Sequence, residues 1–271
     1  MRRQRRKQED IRLGTHGEDY GNWMSDPVLH VVGALLALSV AGAVLSLAAI
    51  HVTALGAAFA TIAVALLALL CWIVWIRRQY AFGGGGMMER AHAAVLSHLD
   101  FDGSGKLLEV GCGSGPLSIR AALTWPEVQV VGIDHWGADF GYNQGMCEAN
   151  AASEGVAARC TFRHGDANGL DFPDESFDAV VSNYVYHNIT GSDKQALLRE
   201  TLRVLRKGGA FAINDLMRPQ AYGDMEAFAR ELLAEGYEDV RLIDTTREIF
   251  GSRRRASLLM LGSSRMLVGR R

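Results

Sequence analysis

From Val28 to Ile76 the chain has no aspartate, glutamate, lysine or arginine. Cysteine is scarce: Cys71, Cys112, Cys147 and Cys160 lie far apart, with no CxxC spacing. That excludes a disulfide framework and reads as reduced thiols of a cytosolic compartment. Basic charge is not in excess either, because 28 Lys+Arg stand against 30 Asp+Glu, a formal net charge of −2. No broad positive field for nucleic acid follows from that balance. No His/Cys/Asp cluster has metal-ligand spacing, which argues against a metal-assisted mechanism.

The charge-free run is about twice the roughly 20 apolar residues that one spanning helix needs. It predicts a two-helix transmembrane hairpin over 28–76, turning near Ile50–Thr53. A secretory signal peptide has a far shorter apolar core and a small-residue cleavage site. Arg2, Arg3, Arg5, Arg6 and Lys7 precede the first span, and Arg77 and Arg78 follow the second. The positive-inside rule then puts both flanks on the cytoplasmic side of the cytoplasmic membrane, with the rest of the chain. Trp23, Trp72, Trp75 and Tyr80 suit the interface, while Gly33, Ala37 and Ala41 facing Ala57, Thr61 and Ala65 would let the helices pack closely. The division is a basic tail over 1–27, the hairpin over 28–76, a flexible glycine-rich linker over 77–86 and a catalytic domain over 87–271.

From Met87 onward helix and strand patterns alternate. Helices are predicted over 87–99, 115–123, 142–153, 193–205 and 224–235. Strands are predicted over 106–110, 128–133, 160–163, 177–182, 210–214 and 240–244. The stretch 253–262 is ambiguous, and 266–269 is a short final strand. Alternation of this kind, with the apolar run Ala179-Val180-Val181, points to an α/β, doubly wound, mostly parallel Rossmann-like sheet.

The informative motif is Leu107-Leu108-Glu109-Val110-Gly111-Cys112-Gly113-Ser114-Gly115, which leaves a strand and opens a helix. Glycines there allow a tight turn and close approach of a ligand to backbone. The spacing differs from a dinucleotide GxGxxG, and Glu109 at the entrance would repel a pyrophosphate. It can instead hold a cationic amino-acid head group. Asp134 ends the second strand, where a carboxylate accepts from both ribose hydroxyls. Asp166-Ala167 follows the third strand, and 178–183 with 202–209 complete the series.

That ordered set resembles the class I S-adenosylmethionine-dependent methyltransferases, most nearly the quinone-biosynthesis-like group. The resemblance covers about 106–215. It implies a seven-stranded sheet whose last strand is antiparallel, with S-adenosylmethionine as cofactor. It places Gly111, Cys112, Gly113 and Gly115 at the cofactor, with Glu109 near its methionine end. Asp134 would take the ribose and Asp166 with Ala167 the adenine. His135 or Trp136 would cover an adenine face, and Asn183 would lie at the end of the fourth strand. Asp178 is expected to be structural.

Methyl transfer needs a positioned acceptor and, for an acidic nucleophile, a base. His187 is the candidate base, with Tyr186 beside it among the residues after the fourth strand. The expected activity is membrane-anchored transfer of a methyl group to a small or membrane-resident acceptor, with the bilayer as the other partner and no nucleic acid. The alternative is a non-catalytic S-adenosylmethionine-binding sensor or membrane adaptor. Arg253-Arg254-Arg255 beside Leu258-Leu259-Met260 is either a solvated basic loop or a contact with anionic lipid.

Overall fold

The computed structural model describes residues 11, 13–15, 17–24, 26–137 and 141–271. Two compact units result: Asn22–Gly85, and Gly86–Arg271 joined by the described residues before Asn22. The basic residues Arg2 to Lys7 lie outside the described residues.

The first unit is a helical hairpin, α1 (Asp26–Ala48) and α2 (Thr53–Tyr80), and both helices are long and apolar enough to cross a membrane. At about 1.5 Å per residue, their lengths are roughly 35 and 42 Å. Few side chains in either helix are enclosed, and large apolar residues such as Leu38 and Val64 are open along it. The seam differs from the predicted one. Val32, Ser39 and Ser46 are the buried positions of α1, while Ala37, Ala41, Ala57, Thr61 and Ala65 are exposed. Gly42 backs onto the Phe59 ring and Gly56 onto Leu47. The seven-residue step along α1 keeps one stripe facing an antiparallel neighbour, a phase that a uniformly apolar sequence does not display. At the base of the hairpin, Arg77 pairs with Asp26 (2.6 Å) and its carbonyl accepts from Asn22 Nδ2 (2.9 Å). Trp23 and Tyr80 meet edge to face with centroids 5.5 Å apart. Composition suggests that the glycine run is an open joint, yet it folds into a turn: Gly84 N–H donates to Ala81 O (3.0 Å) and Gly85 N–H to Arg78 O (2.8 Å).

The second unit begins with α3 (Met87–His98). It continues β1 (Gly105–Val110), α4 (Pro116–Thr124), β2 (Val128–Asp134), α5 (Gln144–Ser153), β3 (Cys160–His164), β4 (Phe177–Asn183), α6 (Lys194–Arg203) and β5 (Leu205–Leu216). After α7 (Pro219–Tyr222) and α8 (Met225–Ala234) come β6 (Glu238–Asp244), α9 (Thr246–Phe250), α10 (Arg253–Leu258) and β7 (Ser264–Arg270). The seven strands form one sheet in the order β3-β2-β1-β4-β5-β7-β6, with β7 antiparallel to both neighbours. The fold class is thus the expected one.

Three helices start a residue or two after the predicted position because the polar residue there is a cap. The Asn143, Asp193 and Asp224 side chains accept from Met146, Gln195 and Ala227 N–H, respectively. β5 is longer than predicted, running through Gly208 and Gly209 with a register shift against β4. Leu108, Val110, Ile133, Val180, Phe211, Ile213 and Leu267 line one face of the sheet while Leu107, Val130, Ala179 and Ala212 are buried on the other, so the strand ends are held rigidly. Asp178 lies at the amino edge, where it accepts from Lys106 N–H (2.7 Å) and pairs with Arg206.

Candidate active site

β1, β2 and β3 run parallel and end at one edge, where the predicted polar groups collect. Gly111 and Cys112 N–H both donate to Ile133 O (2.8 and 2.9 Å), which ties the glycine loop across to β2. Gly113 N–H donates to Asp134 Oδ2 (2.8 Å), and Trp136 N–H to Asp134 Oδ1 (2.7 Å). The Trp136 indole N–H returns to Gly113 O (2.8 Å), closing a ring of loop, carboxylate and indole. Each Asp134 oxygen has one lone pair held by backbone and keeps another for a hydroxyl. Gly111 and Gly113 have φ of +76° and +57°, the left-handed region. A Cβ on Gly113 would meet nothing nearer than the Tyr142 ring at 3.5 Å, so the space over the loop is open. Gly115 closes the turn by donating to Cys112 O (2.8 Å) and caps α4.

In the turn after β3 the Asp166 Oδ1 accepts from the backbone and side-chain N–H groups of Asn168, both at 2.8 Å. Those bonds hold its carboxyl below the usual range, with the nearby His135 and His164 adding less. Ala167 is buried next to it. His135 is exposed and lies toward β3, its ring centroid 5.1 Å from that of His164. Of the two aromatic candidates, Trp136 alone touches the glycine loop.

Beyond the switch between β1 and β4 a second set gathers. Asn183 Oδ1 accepts from Asn214 Nδ2 (2.9 Å), and Asn183 Nδ2 is buried without a partner among the described residues. Thr245 and Ser264 hydroxyls approach Asn214 Oδ1 (3.0 and 3.4 Å), and Ser264 Oγ lies 2.6 Å from the Tyr184 hydroxyl. His187 Nδ1 lies 2.6 Å from Asp215 Oδ1. Asp215 is fully buried and also accepts from Val185 and His187 N–H (3.2 and 3.3 Å). The Tyr222 hydroxyl is beside the same carboxylate; burial, then that charge, drives its pKa up. Tyr186 does not share this position. It is fully enclosed, with its hydroxyl 2.7 Å from Thr201 Oγ1 on α6.

Residues 107–209 match the methyltransferase domain family. A demethylmenaquinone methyltransferase of Roseiflexus castenholzii is 34% identical over 116 residues, 43% of this chain and 44% of that protein. A sterol 24-C-methyltransferase of Aspergillus fumigatus is 31% identical over 117 residues, 43% of this chain and 29% of that one. The chain spans about half the length, or less, of these relatives. Among solved structures, a geranyl diphosphate methyltransferase in complex with its methyl donor superposes with a TM-score of 0.53 at 16% identity, covering 72% of this chain and 94% of that one. The [4+2]-cyclase SpnF gives 0.53 at 21% identity, covering 67% and 80%. Over this segment the chain is similar to the class I S-adenosylmethionine-dependent methyltransferases.

Within the methyltransferase domain, Glu109 is under the loop, fully buried, and accepts from Ser118 Oγ (2.5 Å). Burial pushes its pKa from 4.5 up to about 8; the Ser118 bonds oppose that and the Asp134 charge adds to it. Between those two values the folded domain holds a proton that the unfolded chain has released. The stability that Glu109 contributes is therefore full below about pH 4.5, falls as pH rises toward 8, and levels off above. Thermal melts of the detergent-solubilised chain should show the midpoint dropping across that window. In Glu109→Gln the slope should flatten; an unchanged slope would assign the proton elsewhere.

Sequence reasoning missed two features. One is Asp215, although an acid closing an apolar strand is the signal that singled out Asp134. The other is the Asn150 clamp that holds Asp19 and Tyr20, part of a stretch that sequence alone allows as a lid, as a strap against the glycine loop. Asn150 Nδ2 donates to Asp19 O (2.8 Å) and Ser114 O (3.0 Å), and Oδ1 accepts from Asp19 N–H (3.0 Å). Ser114 Oγ donates to Tyr20 O (2.9 Å). No local pattern announces bonds between residues 131 apart. Asn150→Ala should cost about 1–3 kcal/mol by leaving buried groups unpaired. It should also open Glu18 to a glutamate-specific protease, and cleavage at the parental rate would show that the strap is held by other contacts.

Proposed function

We propose that this chain is a membrane-anchored enzyme that moves a methyl group from S-adenosylmethionine to a small, lipid-like acceptor. The observation that carries the reading is the Asp134 carboxylate at the end of β2, with lone pairs to spare, beside Gly113, where an added Cβ would meet nothing nearer than the Tyr142 ring at 3.5 Å among the described residues. The remaining groups fit the same cofactor. Asp166 and Ala167 suit its base, the unpartnered Asn183 amide offers a donor at the next strand end, and Glu109 supports the loop from beneath, where burial favours its neutral form. When bound, the cofactor supplies a methyl group already activated on a positively charged sulfur.

The chain's own task is to place an acceptor and, where that acceptor is an acid, to take its proton. His187 suits that step. With Nδ1 against a carboxylate oxygen, the neutral form of the imidazole carries its proton on Nδ1 and leaves the Nε2 lone pair free. SpnF shows that the fold alone does not name a reaction. The His187–Asp215 pair favours catalysis over sensing, because a sensor needs no base.

The hairpin supports an acceptor that resides in the bilayer, since tethering raises the local concentration of the site near it. Arg77 and Arg78 at the end of α2 favour a cytoplasmic catalytic domain. The names of relatives and fold neighbours point the same way, toward demethylmenaquinone, a sterol and geranyl diphosphate.

The test uses methyl-labelled S-adenosylmethionine, the detergent-purified chain and a cell extract split into lipid and aqueous fractions, with Asp134→Ala as control. Label in the lipid fraction supports the reading. Label confined to the aqueous fraction overturns the lipid-like acceptor. Cofactor binding without any transfer would leave the sensor reading in its place.

A further inference from the structure

The crossover from β6 to β7 rises from the carboxyl edge of the sheet, because its ends are Asp244 and Ser264 and Ser264 pairs with Leu216 at the end of β5. Asn183 pairs with Asn214 on the same edge, and His187 and Asp215 follow directly. The crossover therefore stands beside the entrance to the acceptor side of the site. Its composition is unusual for an exposed connection. From Gly251 to Ser263 it has three arginines, three leucines and a methionine, and no aspartate or glutamate.

Ala256, Leu259 and Leu261 are buried and fasten this segment to the domain. The other large apolar groups point away. Leu258 is 56% exposed and Met260 48% exposed, so neither contributes to the core. Met260 also has φ of +62°, a conformation that glycine or asparagine adopts with less strain. Arg253 is 73% exposed and pairs with Asp244, whereas Arg254 is exposed and makes no ion pair among the described residues. On α10, Arg254 and Leu258 are four residues apart and so share a face. Ser252 caps the short helix by accepting from Arg255 N–H, which fixes that face in place.

We infer that the tip formed by Arg253, Arg254, Leu258 and Met260 docks on a bilayer surface bearing anionic lipid head groups. Arginines pair with lipid phosphate while leucine and methionine side chains enter the head-group boundary. The charge decides between occupants: a neutral surface rewards the two apolar groups alone, and an anionic one also rewards Arg254, with Arg253 joining where it leaves Asp244. Docking turns the acceptor edge toward the membrane, so an apolar acceptor reaches the site without crossing water. The inference rests on the membrane reading of the preceding subsection and supplies the orientation that a tether alone lacks.

The test is hydrogen exchange on the full chain in lipid nanodiscs of phosphatidylcholine, with and without phosphatidylglycerol. Exchange across 251–263 should slow by about threefold or more only in the phosphatidylglycerol discs, with β7 unchanged in both. Arg254→Glu and Leu258→Ser should each remove the protection, and β7 exchange shows whether the variants remain folded. Equal exchange in both lipids overturns the inference, as does protection that survives Arg254→Glu. Alkaline carbonate treatment of the same chain in vesicles separates the two ideas. Release by carbonate would refute spanning helices, while composition-dependent protection of 251–263 would still report the docking tip.

Discussion

Gly111→Ala should destabilise the methyltransferase domain by roughly 2–4 kcal/mol and lower kcat/KM about 100-fold or more. Two costs add at this position. With φ at +76°, any side chain strains the backbone. A Cβ would also stand 2.2 Å from Val185 Cγ2 and 2.5 Å from Cγ1, so Val185 has to move. Val185 is not a passive neighbour. Its N–H donates to Asp215 Oδ2, and it leads directly into His187. Displacing it disturbs the glycine loop and the His187–Asp215 pair together. Gly113→Ala makes the contrast, because its Cβ would enter open space 3.5 Å from the Tyr142 ring. That variant should lose cofactor affinity with a much smaller loss of stability. Thermal melts and isothermal titration with S-adenosylmethionine on both variants would resolve the pair. Val185→Ala in the Gly111→Ala background should restore part of the stability, since it relieves the clash and not the backbone strain. If Gly111→Ala melted like the parent, the loop and the 184–188 segment would not be packed as described.

The parts of this molecule legible in the sequence are those that depend on backbone and on contiguous residues. The glycine loop and Asp134 announce themselves because the turn needs glycine and the carboxylate follows an apolar strand. Gly113 and Asp134 meet because the register sets Val110 beside Ile133, and that pairing follows from two parallel strands alone. Contacts made by side chains across long separations were hidden. His187 and Asp215 are 28 residues apart and meet only because β4 and β5 end level with each other. Tyr186 looked like a neighbour of the site by position, yet the single 3₁₀ turn Tyr186–Asn188 sends it into the core and His187 outward. Asn150 reads as an ordinary helix residue until the strap is seen lying on it. In the hairpin, length and lack of charge are plain. The seam is not, because every face of α1 is apolar and the rotation is set by Gly42 against Phe59 and Gly56 against Leu47.

His187→Ala should lower kcat by about 10²–10⁴-fold, the usual worth of a positioned base, with KM for S-adenosylmethionine within about threefold of the parent. The split follows from the placement. The glycine loop, Asp134 and Glu109 lie on the β1–β2 side, whereas His187 stands beyond β4 and touches none of them. Asp215→Asn should cost about 10–100-fold in kcat, because the amide no longer fixes which imidazole nitrogen carries the proton. Asp215 is fully buried behind His187, so on the proposed function it is a positioning residue. The double variant should then be little worse than His187→Ala alone, since groups acting as a unit do not add. A structural role predicts something else: each change would lower stability and activity together, the losses would add, and KM for the cofactor would rise as the 184–188 segment shifts against Gly111. His187→Gln separates the cases further, as it keeps a polar side chain of similar reach but removes the base. Full activity in His187→Gln would mean an acceptor that needs no deprotonation, such as an already ionised oxygen or a neutral amine. Loss in His187→Gln with an unchanged melting temperature would place the proton on Nε2 of His187 during transfer.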